Sequence, residues 1–255
     1  MPAVNPYSIL AECYDDVMGH VDYEDWAFYI QDLCDNHLHQ PGDVLELGCG
    51  TGRFASFFAP LDDVRSYRGV DASADMIRVA KKKNAGLRAT FAVQAFDELQ
   101  SAGASPTGYD TVFLLFDGLN YLLKEDEIKD LLGRVFSIVK PGGLFIFDQS
   151  TPANSINNAD YFEDSGRSGD IDFVRRSSFD AETSIHTTSF EIVKDGVMYK
   201  ETHSQQCYTG PQIQAILSSS EFEIDGGYGG FSLEPADIES ERIHWVVRKP
   251  EPEIS

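Results

Sequence analysis

The chain has 255 residues, 42% of them hydrophobic and 24% charged, which fits one compact globular domain, or one domain carrying a large insertion. A formal charge of −22, from 42 acidic against 20 basic residues, repels a phosphate backbone and weighs against a nucleic-acid substrate. No apolar run approaches membrane-spanning length, Met1 to Asn5 lacks a signal-like pattern, and Cys13, Cys34, Cys49 and Cys207 have no CxxC spacing, so the expectation is a cytoplasmic protein with reduced thiols, no zinc site and no membrane partner.

Two helical patterns come first, Ile9-Cys13-Val17 and Trp26-Ile30-Leu33, each with apolar residues at helical spacing. Pro41 and Gly42 break the pattern, Val44 to Leu47 reads as a buried strand, and a helix is predicted to start near Arg53 after a glycine-rich turn. Tyr67 to Val70 is a second strand, Ser73 caps a helix reaching Lys83, and Thr90 to Val93 is a third strand. A fourth strand over Thr111 to Phe116, a helix over Glu125 to Val139, a turn at Pro141-Gly142-Gly143 and a fifth strand over Leu144 to Phe147 follow. Strands alternating with helices imply a parallel sheet covered on both faces. From Ile171 to Cys207 the pattern changes to three alternating runs, with a hairpin signal at Asp195-Gly196. A helix after Pro211, a strand near Phe222, a turn or bulge over Gly226 to Gly230 and a last strand over Ile243 to Val247 complete the chain.

The stretch Glu46-Leu47-Gly48-Cys49-Gly50-Thr51-Gly52 follows a strand and opens a helix, so its backbone can approach a ligand where side chains would collide. A dinucleotide fingerprint would place its third glycine at position 53, which is Arg53. Asp71 stands at the end of the second strand, where a carboxylate can accept hydrogen bonds from both hydroxyls of a ribose, or else cap the next helix beside Ser73. Ala72 and Met76 are placed to pack on an adenine face, although Met76 at helical spacing is equally a core residue.

Val44 to Gly52, together with Gly69-Val70-Asp71, Tyr109-Asp110-Thr111-Val112 and Val139-Lys140-Pro141-Gly142-Gly143, resembles the successive motifs of class I S-adenosylmethionine-dependent methyltransferases. The likeness covers roughly Pro41 to Ser150. Tyr7 to Tyr14-Asp15, Met18, Tyr23 and Trp26 are similar to the amino-terminal lid of small-molecule methyltransferases, whose tyrosine closes over the methyl donor, and Asp117-Gly118-Leu119-Asn120-Tyr121 resembles their loop after the fourth strand. The resemblance implies one methyltransferase domain with a Rossmann-like, doubly wound, seven-stranded and mostly parallel sheet. Residues 1–40 would form a helical lid, 41–150 the donor-binding core, 151–208 an antiparallel β insertion after the fifth strand that covers the acceptor pocket, and 209–250 the return to the sheet. It assigns donor contacts to Tyr14, Tyr23, Trp26, Glu46, Gly48, Cys49, Gly50, Asp71, Ala72, Met76, Ala95, Phe96 and Phe116, and acceptor contacts to Asp117, Asn120 and Tyr121. Relatives often carry an aspartate just after the third strand for the adenine amino group; here Gln94-Ala95-Phe96 stands there, leaving Asp97 or the Ala95 and Phe96 backbone to serve.

A sulfonium-bound methyl group is already electrophilic, so the protein's tasks are in-line positioning and exclusion of water, with a base useful for an amine or hydroxyl acceptor. His203 is the candidate base, against an ordinary sheet histidine, and Tyr14 is a candidate for orienting donor or acceptor. Asp148 and Gln149 with Asp117 partly match the magnesium site of catechol-type O-methyltransferases, but the set is incomplete, so no metal is expected. The leading expectation is methylation of a small molecule at nitrogen or oxygen by a monomer or homodimer. A tRNA or protein methyltransferase, or a protein that binds S-adenosylmethionine without catalysis, is the alternative.

Overall fold

The computed structural model describes residues 4–99 and 108–252. Of Met1 to Asn5, the stretch considered for a signal, Met1 to Ala3 lie outside the described residues. The chain enters through a 3-10 turn, Leu10–Glu12, and one turn of helix α1 (Tyr14–Val17), then forms α2 (Tyr23–Asn36). The side chain of Asp22 starts α2 by accepting the N–H groups of Glu24 and Asp25 at 3.1 and 3.0 Å. Trp26, Ile30 and Leu33 share its buried face.

Strands and helices then alternate: β1 (Gly42–Leu47), α3 (Arg53–Phe58), β2 (Val64–Asp71), α4 (Ala74–Lys83), β3 (Ala89–Val93), β4 (Tyr109–Leu114), α5 (Glu125–Ile138) and β5 (Val139–Ser150). Ser73 caps α4, with its hydroxyl accepting Met76 N–H at 3.2 Å, and Lys81, Lys82 and Lys83 occupy the last turn, where cations favour the helix dipole. After β5 come α6 (Pro152–Asn157), β6 (Glu163–Ser168), β7 (Ile171–Asp180), β8 (Ile185–Lys194), β9 (Val197–Gln206), α7 (Gly210–Ser218), β10 (Glu223–Gly229) and β11 (Arg242–Arg248).

Seven strands form one sheet in the order β3-β2-β1-β4-β5-β11-β10. The pairs from β3 to β5 are parallel, and β11 runs antiparallel to both β5 and β10. This is the Rossmann-like, mostly parallel architecture. Side-chain alternation sends Val44 to one face, packed with Ile30, Phe54 and Phe58, and Leu45 and Leu47 to the other, packed with Leu131 and Val135. Burying each such Leu or Phe contributes about 1.5–3 kcal/mol. The remaining strands form a separate antiparallel sheet, β6-β7-β8-β9. Leu10, Cys13 and Val17 pack on its Phe173, Phe190 and Ile192, so the amino-terminal segment rests on this second sheet.

Several local expectations need correction. The Ile9-Cys13-Val17 helix is divided between the 3-10 turn and α1, although Cys13 and Val17 keep the predicted buried face. The second sheet has four strands, because β6, with exposed Glu163, Asp164, Ser165, Gly166 and Arg167, carries no apolar alternation to reveal it. The fourth strand ends at Leu114, and Phe116 and Asp117 are both left-handed, with φ of 60° and 61°. Pro141-Gly142-Gly143 lies inside β5 with Gly142 at φ 75°. Gly226 to Gly229 belong to β10, with an irregular register between Ile224 and Gly226.

Candidate active site

In a parallel sheet a crevice opens at the carboxyl ends of the strands where the winding reverses, here between β1 and β4. The turn leaving β1 has Gly48, Gly50 and Gly52 at φ 64°, 52° and 70°, a conformation in which other residues are strained. Space around Gly50 is open, with no atom within 4 Å of where a Cβ would sit. Gly50 N–H donates to Asp71 Oδ2 at 3.0 Å, and Ser73 N–H donates to Oδ1 at 2.8 Å. Burial pushes the Asp71 carboxyl up, and these two N–H groups oppose it. Each oxygen keeps a lone pair for a further donor.

This turn borders a cavity of about 1040 Å³. Ligand pockets of about 300–1,000 Å³ hold a drug-sized molecule, so the space exceeds what one such ligand needs. Gly48, Gly50, Asp71, Ala72 and Met76 line one part, and Ala95, Phe96, Asp97 and Leu115 another. Ala95 N–H is taken by Glu98 Oε2 at 2.9 Å, so of the adenine partners foreseen for this loop, Asp97 and the backbone of Ala95 and Phe96, the Ala95 N–H is already occupied. Tyr14, Tyr23, Phe116 and Tyr121 also line the cavity, joined by Tyr7.

Other residues singled out in the sequence stand behind this wall. Trp26 packs against Phe116 with ring centroids 4.2 Å apart and the rings tilted by 37°, and Tyr23 meets Phe116 at 5.0 Å. Cys49 is buried, and all four cysteines are free and buried. Glu46 is buried beneath the glycine turn, with Tyr67 Oη donating to its Oε2 at 2.8 Å. Burial pushes its carboxyl up to about 8 in spite of that bond. Asn120 is buried and fully engaged: its Nδ2 donates to the carbonyls of Ser150 and Gln206 at 2.9 and 2.7 Å, and its Oδ1 accepts Ser150 N–H at 3.0 Å. It ties the Gly118–Tyr121 turn to the ends of β5 and β9 and does not line the cavity.

Asp117 also points away from the cavity lining, toward Arg242, whose guanidinium bonds both Asp117 and the fully buried Asp148. Burial disfavours the Arg242 charge, but these two carboxylates outweigh it and hold its proton more tightly than usual. The two carboxylates that the sequence offered as part of a metal site thus share a guanidinium. Arg242 also lies over the Trp26 ring, 5.3 Å from its centroid.

His203 is buried on β9, and the Tyr121 hydroxyl lies 3.1 Å from its Nδ1. The Tyr121 and Tyr7 hydroxyls are hydrogen-bonded to each other, and the Tyr7 ring sits 4.6 Å from the His203 ring and 5.8 Å from that of Tyr14. Burial raises the Tyr7, Tyr14 and Tyr121 phenols well above their ordinary value, so all three stay protonated at neutral pH. Thus His203 does not line the cavity itself, and its hydrogen bond to Tyr121 links it there.

The amino-terminal segment is fastened over this space. Ser73 Oγ donates to the Tyr7 carbonyl at 2.7 Å, Thr51 Oγ1 donates to Asp15 Oδ1 at 2.6 Å, and Lys83 pairs with the other Asp15 oxygen. Sequence reasoning singled out neither Tyr7 as a lining residue nor Arg242. The pairing of Arg242 with Ser150 across β11 and β5 depends on an antiparallel register that local periodicity does not specify.

Residues 44–143 match the family model described as a methyltransferase domain. The chain is 26% identical over 257 residues to "Putative methyltransferase YqeM" of Bacillus subtilis, covering 98% of this chain and 99% of that protein. Among solved structures, an S-adenosylmethionine-dependent methyltransferase of Clostridium acetobutylicum superposes with a TM-score of 0.77 at 23% identity, covering 96% of this chain and 99% of the other. The sugar N-methyltransferase KedS8 of a Streptoalloteichus species gives a TM-score of 0.69 at 16% identity, covering 93% of each chain.

Proposed function

We propose that this chain, an S-adenosylmethionine-dependent methyltransferase of class I, methylates a nitrogen or oxygen of a small molecule held between the glycine turn and the tyrosine cluster. The observation that carries the reading is the Gly50 to Asp71 hydrogen bond at the edge of the cavity: a bare backbone cradle beside a carboxylate with free lone pairs fits the ribose and methionine portions of the donor. Asp71 would hold the ribose hydroxyls, Met76 and Phe96 the faces of the adenine, and Tyr14 and Tyr23 the sulfonium end. When bound, S-adenosylmethionine supplies a methyl carbon made electrophilic by its sulfonium.

The chain's own groups then supply enclosure and a place for a proton. Aromatic side chains of Tyr7, Tyr14, Tyr23 and Phe116 exclude water at one end of the cavity. An attacking amine or hydroxyl at that end meets Tyr121 Oη, which His203 backs. Among the described residues that line the cavity, Asp71, Asp75, Asp97, Asp126, Glu127 and Asp130 are acidic and none is Lys, Arg or His. That balance supports a neutral or cationic acceptor over an anionic one. KedS8, by name a sugar N-methyltransferase, lends support to a small-molecule acceptor. The test is release of S-adenosylhomocysteine across a panel of small amines, amino sugars and alcohols. Product release with at least one of them is expected. Saturable donor binding without product from any of them, or activity restricted to tRNA or peptides, contradicts the reading.

A further inference from the structure

Glu201 on β9 is fully buried, does not line the cavity and has no part in the donor site proposed above. Its Oε1 accepts Ile9 N–H at 2.7 Å, Leu10 N–H at 2.9 Å and the Ser8 hydroxyl at 3.2 Å. Its Oε2 accepts Tyr7 N–H at 2.8 Å and faces His203 Nε2 at 3.6 Å. Burying a carboxylate costs several kcal/mol unless its oxygens are satisfied. Here the compensation comes from the backbone N–H groups of Tyr7, Ile9 and Leu10 and from the Ser8 hydroxyl, with one imidazole close by. Tyr7 itself is left-handed, with φ 60°, so the chain bends around the carboxylate as it delivers the tyrosine to the cavity. Glu201 and His203, two apart on one strand, project from the same face.

We propose that Glu201 is a positioning residue for methyl transfer, fixing the Tyr7 segment over the cavity and selecting the His203 tautomer that leaves Nδ1 free to take a proton. This rests on the reading of Tyr121 as the group that meets the acceptor. His203 Nε2 has no hydrogen-bond partner, and the ring is enclosed by Tyr7, Tyr121 and Phe190, with Glu201 as the charged neighbour. The ring proton is therefore most stable on Nε2, facing the carboxylate, and the Nδ1 lone pair accepts from Tyr121 Oη–H. As the attacking nitrogen or oxygen loses its proton, Tyr121 Oη takes it while its own proton moves to Nδ1, and the imidazolium that results lies against Glu201. Burial pushes the Glu201 carboxyl up, but His203 and the N–H groups of Leu10, Ile9 and Tyr7 outweigh it and hold the group below the usual range, so it carries its charge at neutral pH.

Nitrogen NMR of 15N-histidine-labelled protein tests this without a known acceptor, with His203→Gln identifying the His203 signals among the six histidines. The wild-type neutral ring is expected to show a protonated Nε2 and a bare Nδ1. Glu201→Gln is expected to abolish that preference and, by loosening the Tyr7 segment over the cavity, to let bound S-adenosylhomocysteine dissociate about tenfold faster, the loss of one charge-assisted contact. A wild-type ring protonated at Nδ1 overturns the proposal, and that measurement does not depend on Glu201→Gln folding. Unchanged His203 signals together with an unchanged dissociation rate in Glu201→Gln overturn it as well. Wild-type protein that binds no S-adenosylhomocysteine contradicts the donor reading instead, and the tautomer result still decides the role of Glu201.

Discussion

The backbone N–H of Asp117 donates to Asp148 Oδ2 at 3.1 Å, joining the loop after β4 to the end of β5. Two successive non-glycine residues in the left-handed region, Phe116 and Asp117, are costly by about 1–2 kcal/mol each, and this bond with the Arg242 pairs holds them. The loop therefore presents Phe116 to the cavity in a fixed orientation.

Arg242→Ala leaves Asp148 buried without its cation. A loss of about 3–5 kcal/mol in unfolding free energy is expected from urea titration. A loss under about 1 kcal/mol would mean that the pair does not anchor the loop.

Gly50→Ala separates strain from ligand space. Gly50 and the hairpin residue Gly196 both have positive φ, 52° and 74°, and at neither would an added Cβ meet an atom within 4 Å. Both alanine variants should lose about 1–2 kcal/mol of stability. Only Gly50→Ala is expected to weaken S-adenosylmethionine binding, by about tenfold or more, as read by calorimetry. Equal donor affinity in the two variants would place the ligand away from the turn.

Tyr121→Phe removes the hydroxyl that links the cavity to His203. With an acceptor in hand, turnover should fall by about 10²–10⁴, the range for a lost acid–base group, while donor affinity stays within about twofold. A matched loss of donor affinity would assign Tyr121 to binding.

How much of this was visible in the sequence depends on the range of the interaction. The turn from Glu46 to Gly52 and the acid at Asp71 are legible because glycine and carboxylate chemistry sit at fixed offsets from strands that apolar runs disclose. Ser73 and the Asp195-Gly196 hairpin are local signals of the same kind, and the structure has both. Glu201 appears in the sequence only as part of a Glu-Thr-His run. Its role depends on the remote residues Tyr7, Ile9 and Leu10, which no periodicity links to β9. Asn120 and Asp117 are placed by sequence on the ligand side of the sheet, as they are, but burial and the Arg242 pair turn their side chains to structural partners.

Glu46 provides a pH test. Its carboxyl is held up at about 8 by burial, against about 4.5 in the ordinary state, so between those values the folded chain keeps a proton that the unfolded chain has released. Stability contributed by the neutral form is full below about pH 4.5 and is lost as pH rises through 8, on the order of 5 kcal/mol in all. Glu46→Gln, which retains an acceptor for Tyr67, should match wild type near pH 4.5 and exceed it in unfolding free energy at about pH 8.5. Equal stabilities at both pH values would mean that burial does not raise the Glu46 carboxyl in the folded chain.

The central claim is that the glycine turn and Asp71 hold S-adenosylmethionine, and calorimetric titration of wild type and Asp71→Ala with S-adenosylmethionine and S-adenosylhomocysteine tests it most directly. Saturable binding of both by wild type is expected, weakened about 10–100-fold in Asp71→Ala as charge-assisted hydrogen bonds to the ribose are lost. Wild-type protein that binds neither, or that binds NAD in their place, contradicts the account.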